Sequence, residues 1–428
     1  MSIPDRAIAP ATNSISDISV MEAVPFADKI GFPAFSIHSG SQEVVKIEFL
    51  FPAGLFHQDM PFVASTTNSM LQEGTKSSSA NEIAKAMDYY GSYLDFDIGK
   101  DYGYASLYSP NKYLENTLPV FADLLMNSSI PDEELDIYLN KAKQNFAVNM
   151  QKVGFVATNK FNEMLFGNEH PYGKNATGGD FDNLTREIVE NHYSDCYQIG
   201  DASVIISGNI PDMLEDLLTD QFAISSGHTT QKNAEKSTLL IQTQKGKEFV
   251  SKPDSVQSAI RVGRILFGKT HPDFFGMIVL NTILGGYFGS RLMANIREDK
   301  GYTYGISSSV NSAQHAGYLV ISTEVGSDVT SNTLNEIYIE LRRLREEVVP
   351  EKELNLVKNY MLGAFLRSTD GPFNLADKFK AILEYNLDYT YYTQFINTVK
   401  SITSTEINEL ANKYLQEGDF QELIVGKS

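Results

Sequence analysis

Between Leu284 and Ile306 the chain reads LGGYFGSRLMANIREDKGYTYGI, and this stretch gathers two arginines and three tyrosines among closely spaced glycines. Arginine presents a planar fork of donors and tyrosine a single O–H. A guanidinium and a phenol on either side of one turn therefore suit a site that holds a carbonyl oxygen or a carboxylate. The neighbouring residues supply the elements that would position them. Leu292, Met293 and Ile296 fall at roughly helical spacing between Arg291 and Arg297. Gly301 is placed where a glycine commonly ends a helix. Tyr302 and Tyr304 alternate with Thr303 and Gly305, which predicts the start of a strand. Gly285, Gly286 and Gly289 permit a tight turn or the close approach of another backbone. The same residues also describe an ordinary amphipathic helix with a surface arginine and two half-buried tyrosines.

Other chemistries are less well supplied. The seven histidines are His38, His57, His170, His192, His228, His271 and His315, and no two share the i, i+3 or i, i+4 spacing that grips zinc from one helical face. A composite site from scattered histidines stays open. There is no P-loop, no dinucleotide-binding glycine fingerprint and no G-x-S-x-G elbow, and the glycines at 285–289 lack the Lys-Ser/Thr of a nucleotide loop. His170-Pro171-Tyr172-Gly173 reads as a helix end and a turn. Cys196 is the only cysteine, which excludes an intrachain disulfide and a thiolate metal cluster. Its neighbours His192, Tyr193 and Tyr197 give it the setting of a packing residue.

Composition bounds the partners. At 428 residues, two or three domains are expected, and 42% hydrophobic residues suffice for sizeable cores. A net charge of −19 and a pI near 4.8 argue against nucleic acid or anionic membrane surfaces. No apolar run approaches a membrane span. The first residues, MSIPDRAIAPATNSISD, show no basic segment followed by an apolar core. A cytoplasmic location is expected, or the periplasm if a leader has been removed.

In order along the chain, residues 1–24 predict an extended arm. Ala34–Ile37 and Val44–Phe51 predict two strands joined by a Gly-Ser turn, the second buried on both faces. Helices are expected from Pro61 to Gln72, Asn81 to Tyr90, Lys112 to Met126, Pro131 to about Gln151, Asn159 to Phe166 and Leu184 to Cys196. Tyr93–Ile98 and Tyr104–Tyr108 predict paired strands, and Ala202–Ser207 a short one. Strands grouped early and late point to an α+β fold. The polar run Ser225–Ser237 is the linker candidate. Beyond it the pattern repeats: Pro350-Glu-Lys-Glu353-Leu354 matches Pro131-Asp-Glu-Glu134-Leu135, each opening a long amphipathic helix after another helical run. Two similar domains are therefore expected, at 1–224 and 238–428, with 225–237 between them.

These residues resemble the pitrilysin/insulysin (inverzincin) family of zinc peptidases, which includes the mitochondrial processing peptidase and bacterial heterodimeric forms. The resemblance is carried by Val44–Gly54, MLQEGT at Met70–Thr75, the strand pair after Gly91, LFGNEHPYG at Leu165–Gly173, and ILGGYFGSRLMANIREDKGYTYGI at Ile283–Ile306. It implies two homologous domains, each a mostly antiparallel sheet flanked by helices, in the LuxS/processing-peptidase manner.

One departure from the family is informative. Active members carry H-x-x-E-H just before the segment matched by MLQEGT, two imidazoles to hold zinc and a glutamate to activate its water. Here the matching residues are Ser65-Thr66-Thr67-Asn68-Ser69, with serine at both ligand positions and asparagine at the base. Hydroxyls and a neutral amide are poor zinc ligands and cannot act as a base near neutral pH. The family's third ligand is a glutamate in the long helix after Pro131, yet Leu139 to Asn162 contains no Asp or Glu.

In paired members the non-catalytic half supplies an arginine and a tyrosine to its partner's site, for substrate binding and oxyanion stabilisation. By resemblance these are Arg297 and Tyr304, with Tyr302 as the fallback, while Arg291 supports the fold. The strand after Ser307 together with Tyr318–Glu324 would offer an edge to an extended peptide. The resemblance thus implies a non-catalytic subunit of a heterodimeric zinc metalloendopeptidase. Its partners would be a homologous subunit bearing H-x-x-E-H and peptide substrates, with a homodimer possible in isolation. No cofactor is expected in this chain, and zinc is expected in the partner. The alternatives are a structural scaffold or peptide-binding protein without proteolytic role, and an independent peptidase with relocated ligands.

Overall fold

The structure is a computed structural model that describes residues 15, 18–26, 30–222 and 246–427. The expected linker at 225–237 and most of the expected N-terminal arm lie outside the described residues. The first sheet contains β1 (Val24–Pro25), β2 (Ala34–His38), β3 (Val44–Phe51), β4 (Tyr93–Ile98), β5 (Gly103–Pro110) and β6 (Ser203–Gly208), in the order β1-β2-β6-β3-β5-β4. The second contains β7 (Lys247–Ser251), β8 (Gln257–Leu266), β9 (Ile306–Ser312), β10 (Gly317–Gly326) and β11 (Gln421–Gly426), in the order β7-β11-β8-β10-β9. Without β1 the two orders are the same topology. In each, the first strand pairs parallel with the last (β2 with β6, β7 with β11), and the other pairings are antiparallel. The fold is α+β with two sheet-containing domains, and the sequence repeat has its counterpart in strand order.

The helices follow the same repeat. In the first half they are α1 (Val63–Met70), α2 (Ala80–Tyr90), α3 (Leu114–Asn127), α4 (Asp132–Asn149), α5 (Val153–Phe166), α6 (Arg186–Cys196) and α7 (Leu214–Phe222). In the second they are α8 (Phe274–Asn281), α9 (Thr330–Glu346), α10 (Glu351–Arg367), α11 (Pro372–Leu383), α12 (Thr390–Ser401) and α13 (Ser404–Tyr414). Pro131 and Pro350 cap α4 and α10 in nearly the same extended conformation, φ −64° ψ 137° and φ −59° ψ 138°. Proline tolerates this place because the first helical N–H groups lack intrahelical acceptors anyway.

Several expectations need correction. β2 and β3 are joined by the expected turn but are not neighbours, because β6 lies between them, with Ala34 opposite Val204 and Val45 opposite Gly208. β3 is buried along both faces, one of which carries Lys46 and Glu48, and it sits in the sheet interior with strands on both sides. The helix expected from Pro61 begins at Val63, since Phe62 takes a left-handed φ of 70° that no helical turn contains. The helix expected at Asn159 begins six residues earlier, at Val153.

The two halves exchange helices. α5 of the first half packs on β8 and β11 of the second sheet, and α11 of the second half packs on β2 and β6 of the first. Val153, Ala157, Phe161 and Leu165 of α5 share one apolar cluster with Ala259, Leu423 and Val425. Gly263 in β8 allows this, because a Cβ there would lie 3.1 Å from the Phe161 ring and 2.2 Å from the Leu319 carbonyl oxygen. A polar seam completes the contact. The Asp101 carboxylate accepts from the Tyr172 hydroxyl and from Gln314 N–H (2.9 Å), and the Tyr104 hydroxyl donates to Glu384 at 2.6 Å. The relative placement of the halves thus rests on both apolar burial and buried hydrogen bonds.

Candidate functional site

The positions that the pitrilysin-type resemblance assigns to a zinc site lie on α1. Ser65 donates its hydroxyl to Phe62 O at 3.1 Å, and Ser69 donates to the Tyr138 hydroxyl on α4 at 3.3 Å. Asn68 is buried; its amide donates to Asp97 O on β4 at 2.9 Å, and its Oδ1 accepts from the Tyr197 hydroxyl at 2.9 Å. Burial pushes the Tyr197 phenol well above its ordinary pKa, so it stays a donor. Hydroxyls and an amide engaged in this way do not fit a zinc centre, which takes imidazole, thiolate or carboxylate. Among the described residues, no three His, Cys, Asp or Glu side chains gather closely enough to hold a metal ion. His170 is buried, and its Nδ1 accepts from Tyr172 N–H at 3.1 Å, as suits a turn residue. The Cys196 thiol is buried 3.8 Å from His192 Nδ1.

The second half places Arg297 and Tyr304 on two runs of chain that fold against each other. The expected α-helix around Arg297 is π-helical, from Met293 to Asp299. π-helical turns are rare and frequently accompany functional positions. Gly301 then takes φ +66°, a left-handed reversal that glycine adopts without strain. Tyr302 N–H donates to Ile296 O at 3.0 Å, and Ile306 N–H approaches Met293 Sδ at 3.5 Å. The strand expected from Tyr302 begins only at Ile306. The reason is local: the Thr303 hydroxyl donates to Glu324 O (2.8 Å) and accepts from Gly305 N–H (3.1 Å), replacing ladder bonds with a side-chain turn.

The result separates the two tyrosines. Tyr302 is half-buried against the core, whereas Tyr304 is 95% exposed. Arg291 is closed off by a two-pronged pair with Glu353, at 2.8 and 2.9 Å, in keeping with a role in the fold. Arg297 has no such partner among the described residues; its guanidinium carbon lies over the Phe288 ring, 4.6 Å from the centroid. Sequence reasoning passes over Phe288, because residue type and spacing give no signal that an exposed ring lies under a guanidinium. A cavity of ≈ 390 Å³ flanks Tyr304, lined among others by Gln257, Arg261, Thr303 and Glu324. β9 starts two residues after Tyr304 and is an edge strand of its sheet. Tyr318–Glu324, expected to share that edge, is instead interior, because β10 pairs with β8 on one side and β9 on the other.

This arrangement has known counterparts. Residues 183–361 match the family model described as the peptidase M16 inactive domain. Over those residues the chain is similar to a peptidase M16 inactive domain. The match covers the whole Leu284–Ile306 stretch. An uncharacterized zinc protease of Bacillus subtilis, YmxG, is 23% identical over 81% of this chain and 84% of its own length. An uncharacterized zinc protease of Mycobacterium leprae is 21% identical over 81% of this chain and 79% of its own. Among solved structures, a peptidase M16 inactive domain from Pseudomonas fluorescens superposes with a TM-score of 0.84 at 22% identity, covering 95% of this chain and 99% of that one. A Helicobacter pylori protease superposes with a TM-score of 0.84 at 17% identity, over 94% and 98%. The likeness to the M16 inactive domain agrees with the pitrilysin-type resemblance read from the sequence, and the structural neighbours share the two-domain fold. Among the described residues no helix is long and apolar enough to cross a membrane.

Proposed function

We propose that this chain is the non-catalytic subunit of a heterodimeric zinc metalloendopeptidase. It closes a peptide chamber over a homologous partner bearing H-x-x-E-H and lends that partner Arg297 and Tyr304. Arg297 binds the peptide backbone or a carboxylate, and the Tyr304 hydroxyl donates to the oxyanion of the tetrahedral intermediate. The zinc belongs to the partner; this chain holds none and hydrolyses nothing alone. In this reading residues 1–224 and 238–428 are the two domains and 225–237 the linker.

The observation that carries the proposal is the contrast between the two arginines and the two tyrosines. Arg291 is sealed by Glu353 while Arg297 is left without an ion-pair partner among the described residues, and Tyr302 is packed while Tyr304 faces solvent beside an edge strand. An exposed phenol and an open guanidinium gain little for stability where they stand, and both fit donors awaiting a substrate. The test is a quenched-fluorescent peptide library assayed with this chain, a candidate H-x-x-E-H partner, and both together. Cleavage only by the mixture is expected. Chelator-sensitive cleavage by this chain alone, or full activity of the partner alone, contradicts the proposal.

A further inference from the structure

Phe288 is a large aromatic with 63% of its surface exposed, on the glycine-rich turn between α8 and the Arg297 segment. The turn is fixed on both sides. A Cβ on Gly285 would fall 2.6 Å from Ser308 Oγ and 2.7 Å from Ser308 N, so the turn lies directly against β9. A Cβ on Gly289 would fall 2.8 Å from the Tyr287 ring, which itself packs on Tyr360 with centroids 4.8 Å apart. The exposed ring is therefore held at a defined place relative to the sheet edge. Its face carries the Arg297 guanidinium, 4.6 Å from the centroid.

A cation over a ring face is held by the ring's charge distribution and not by a hydrogen-bond acceptor. The contact therefore supplies no acceptor for the guanidinium N–H donors, which a carboxylate or carbonyl oxygen would bind. We propose that Phe288 is a positioning residue for Arg297: it holds the guanidinium in place over its ring with the donor fork open to the carboxylate or carbonyl oxygens of a peptide laid along β9. The proposal rests on the reading of Arg297 as a peptide-binding group. A salt bridge could order the same side chain, but it would occupy the donors that the peptide needs, as Glu353 occupies those of Arg291. Restricting the rotamers of a long side chain before binding reduces the ordering cost of the complex.

Two measurements on the full chain test this. In 15N-edited spectra the Arg297 Hε resonance, assigned by its loss in Arg297→Lys, is expected upfield under the Phe288 ring. Phe288→Leu should move it downfield and Phe288→Trp should keep it upfield. Binding of fluorescein-labelled β-casein, followed by anisotropy, should weaken about three-fold in Phe288→Leu, the size expected of one exposed cation–π contact. It should weaken further in Arg297→Ala, be restored in Phe288→Trp, and be no weaker in the double substitution than in Arg297→Ala. An Hε resonance unmoved by Phe288→Leu overturns the proposal, as do losses that multiply in the double substitution. Failure of the unaltered chain to bind casein counts instead against the peptide-binding reading of Arg297, and the resonance then decides the role of Phe288 by itself.

Discussion

Tyr197 donates its hydroxyl hydrogen to Asn68 Oδ1 across 2.9 Å, at the position that the pitrilysin-type resemblance assigns to the catalytic base. The other end of the Asn68 amide donates to Asp97 O, so this side chain ties α1 to β4 and to the chain segment after α6. Asn68 is thus engaged in two structural hydrogen bonds at a buried position. Asn68→Leu should leave both the Asp97 carbonyl and the Tyr197 hydroxyl without partners and lower stability by about 2 kcal/mol. Urea unfolding would measure it; a loss below about 0.5 kcal/mol would mean that Asn68 is not a structural tie.

The exchanged helix α5 joins the halves through Phe161, whose buried side chain meets Gly263 of β8. Phe161→Ala removes the whole ring and should cost about 3–5 kcal/mol. Because the cluster spans both halves, the transition midpoint should fall for probes placed in either one. A shift confined to probes in the first half would show that the halves unfold independently.

Glu48 is buried in β3 between Lys46 at 3.1 Å and Lys380 of α11 at 2.9 Å. Burial opposes its ionisation, yet the two ammonium groups prevail and hold its carboxyl below the usual value. A depressed carboxylate pKa contributes stability above the unfolded value of about 4.3, and that contribution is lost as pH falls through the folded value. Lys380→Met should therefore lower stability at pH 7 and flatten the acid limb of the stability–pH curve. An unchanged acid limb would contradict this role for Glu48.

At the basic end Lys100 carries a charge that costs stability rather than adding to it. Its ammonium is caged by rings of both halves, 5.4 Å from Phe166, 5.2 Å from Tyr172 and 4.5 Å from Tyr318. Burial lowers its pKa to about 8, with Asp101 opposing the shift. Below that value both folded and unfolded chains carry the proton. Between about 8 and the unfolded value of about 10.4 the folded chain has released it and the unfolded chain has not, so stability rises with pH. Lys100→Met should be more stable than the unaltered chain at pH 7, with the difference narrowing by pH 9.5. Parallel stability–pH curves for the two proteins would refute the assignment.

What the sequence made legible was chiefly local. The buried strand Val44–Phe51, the capping prolines 131 and 350, and the strand pair Tyr93–Ile98 with Gly103–Pro110 follow from periodicity and turn chemistry. The insertion of β6 between β2 and β3, and the exchange of α5 and α11, depend on pairing over more than a hundred residues, which no local pattern encodes. At the candidate site, residue types pointed to the arginines and tyrosines of the 284–306 stretch, and the family resemblance singled out Arg297 and Tyr304. The late strand start at Ile306 came from side-chain bonds of Thr303, and the exposure of Tyr304 against the packing of Tyr302 came from the turn that those bonds shape.

The central claim is most directly tested by Tyr304→Phe in the reconstituted pair. The substitution removes one hydroxyl from a side chain that is 95% exposed and without a hydrogen bond of its own among the described residues, so folding should be untouched. If Tyr304 donates to the oxyanion, kcat of the mixture should fall about 10²–10³-fold with KM little changed, as for loss of one oxyanion donor. A mixture whose kcat is unaltered by Tyr304→Phe would contradict the account.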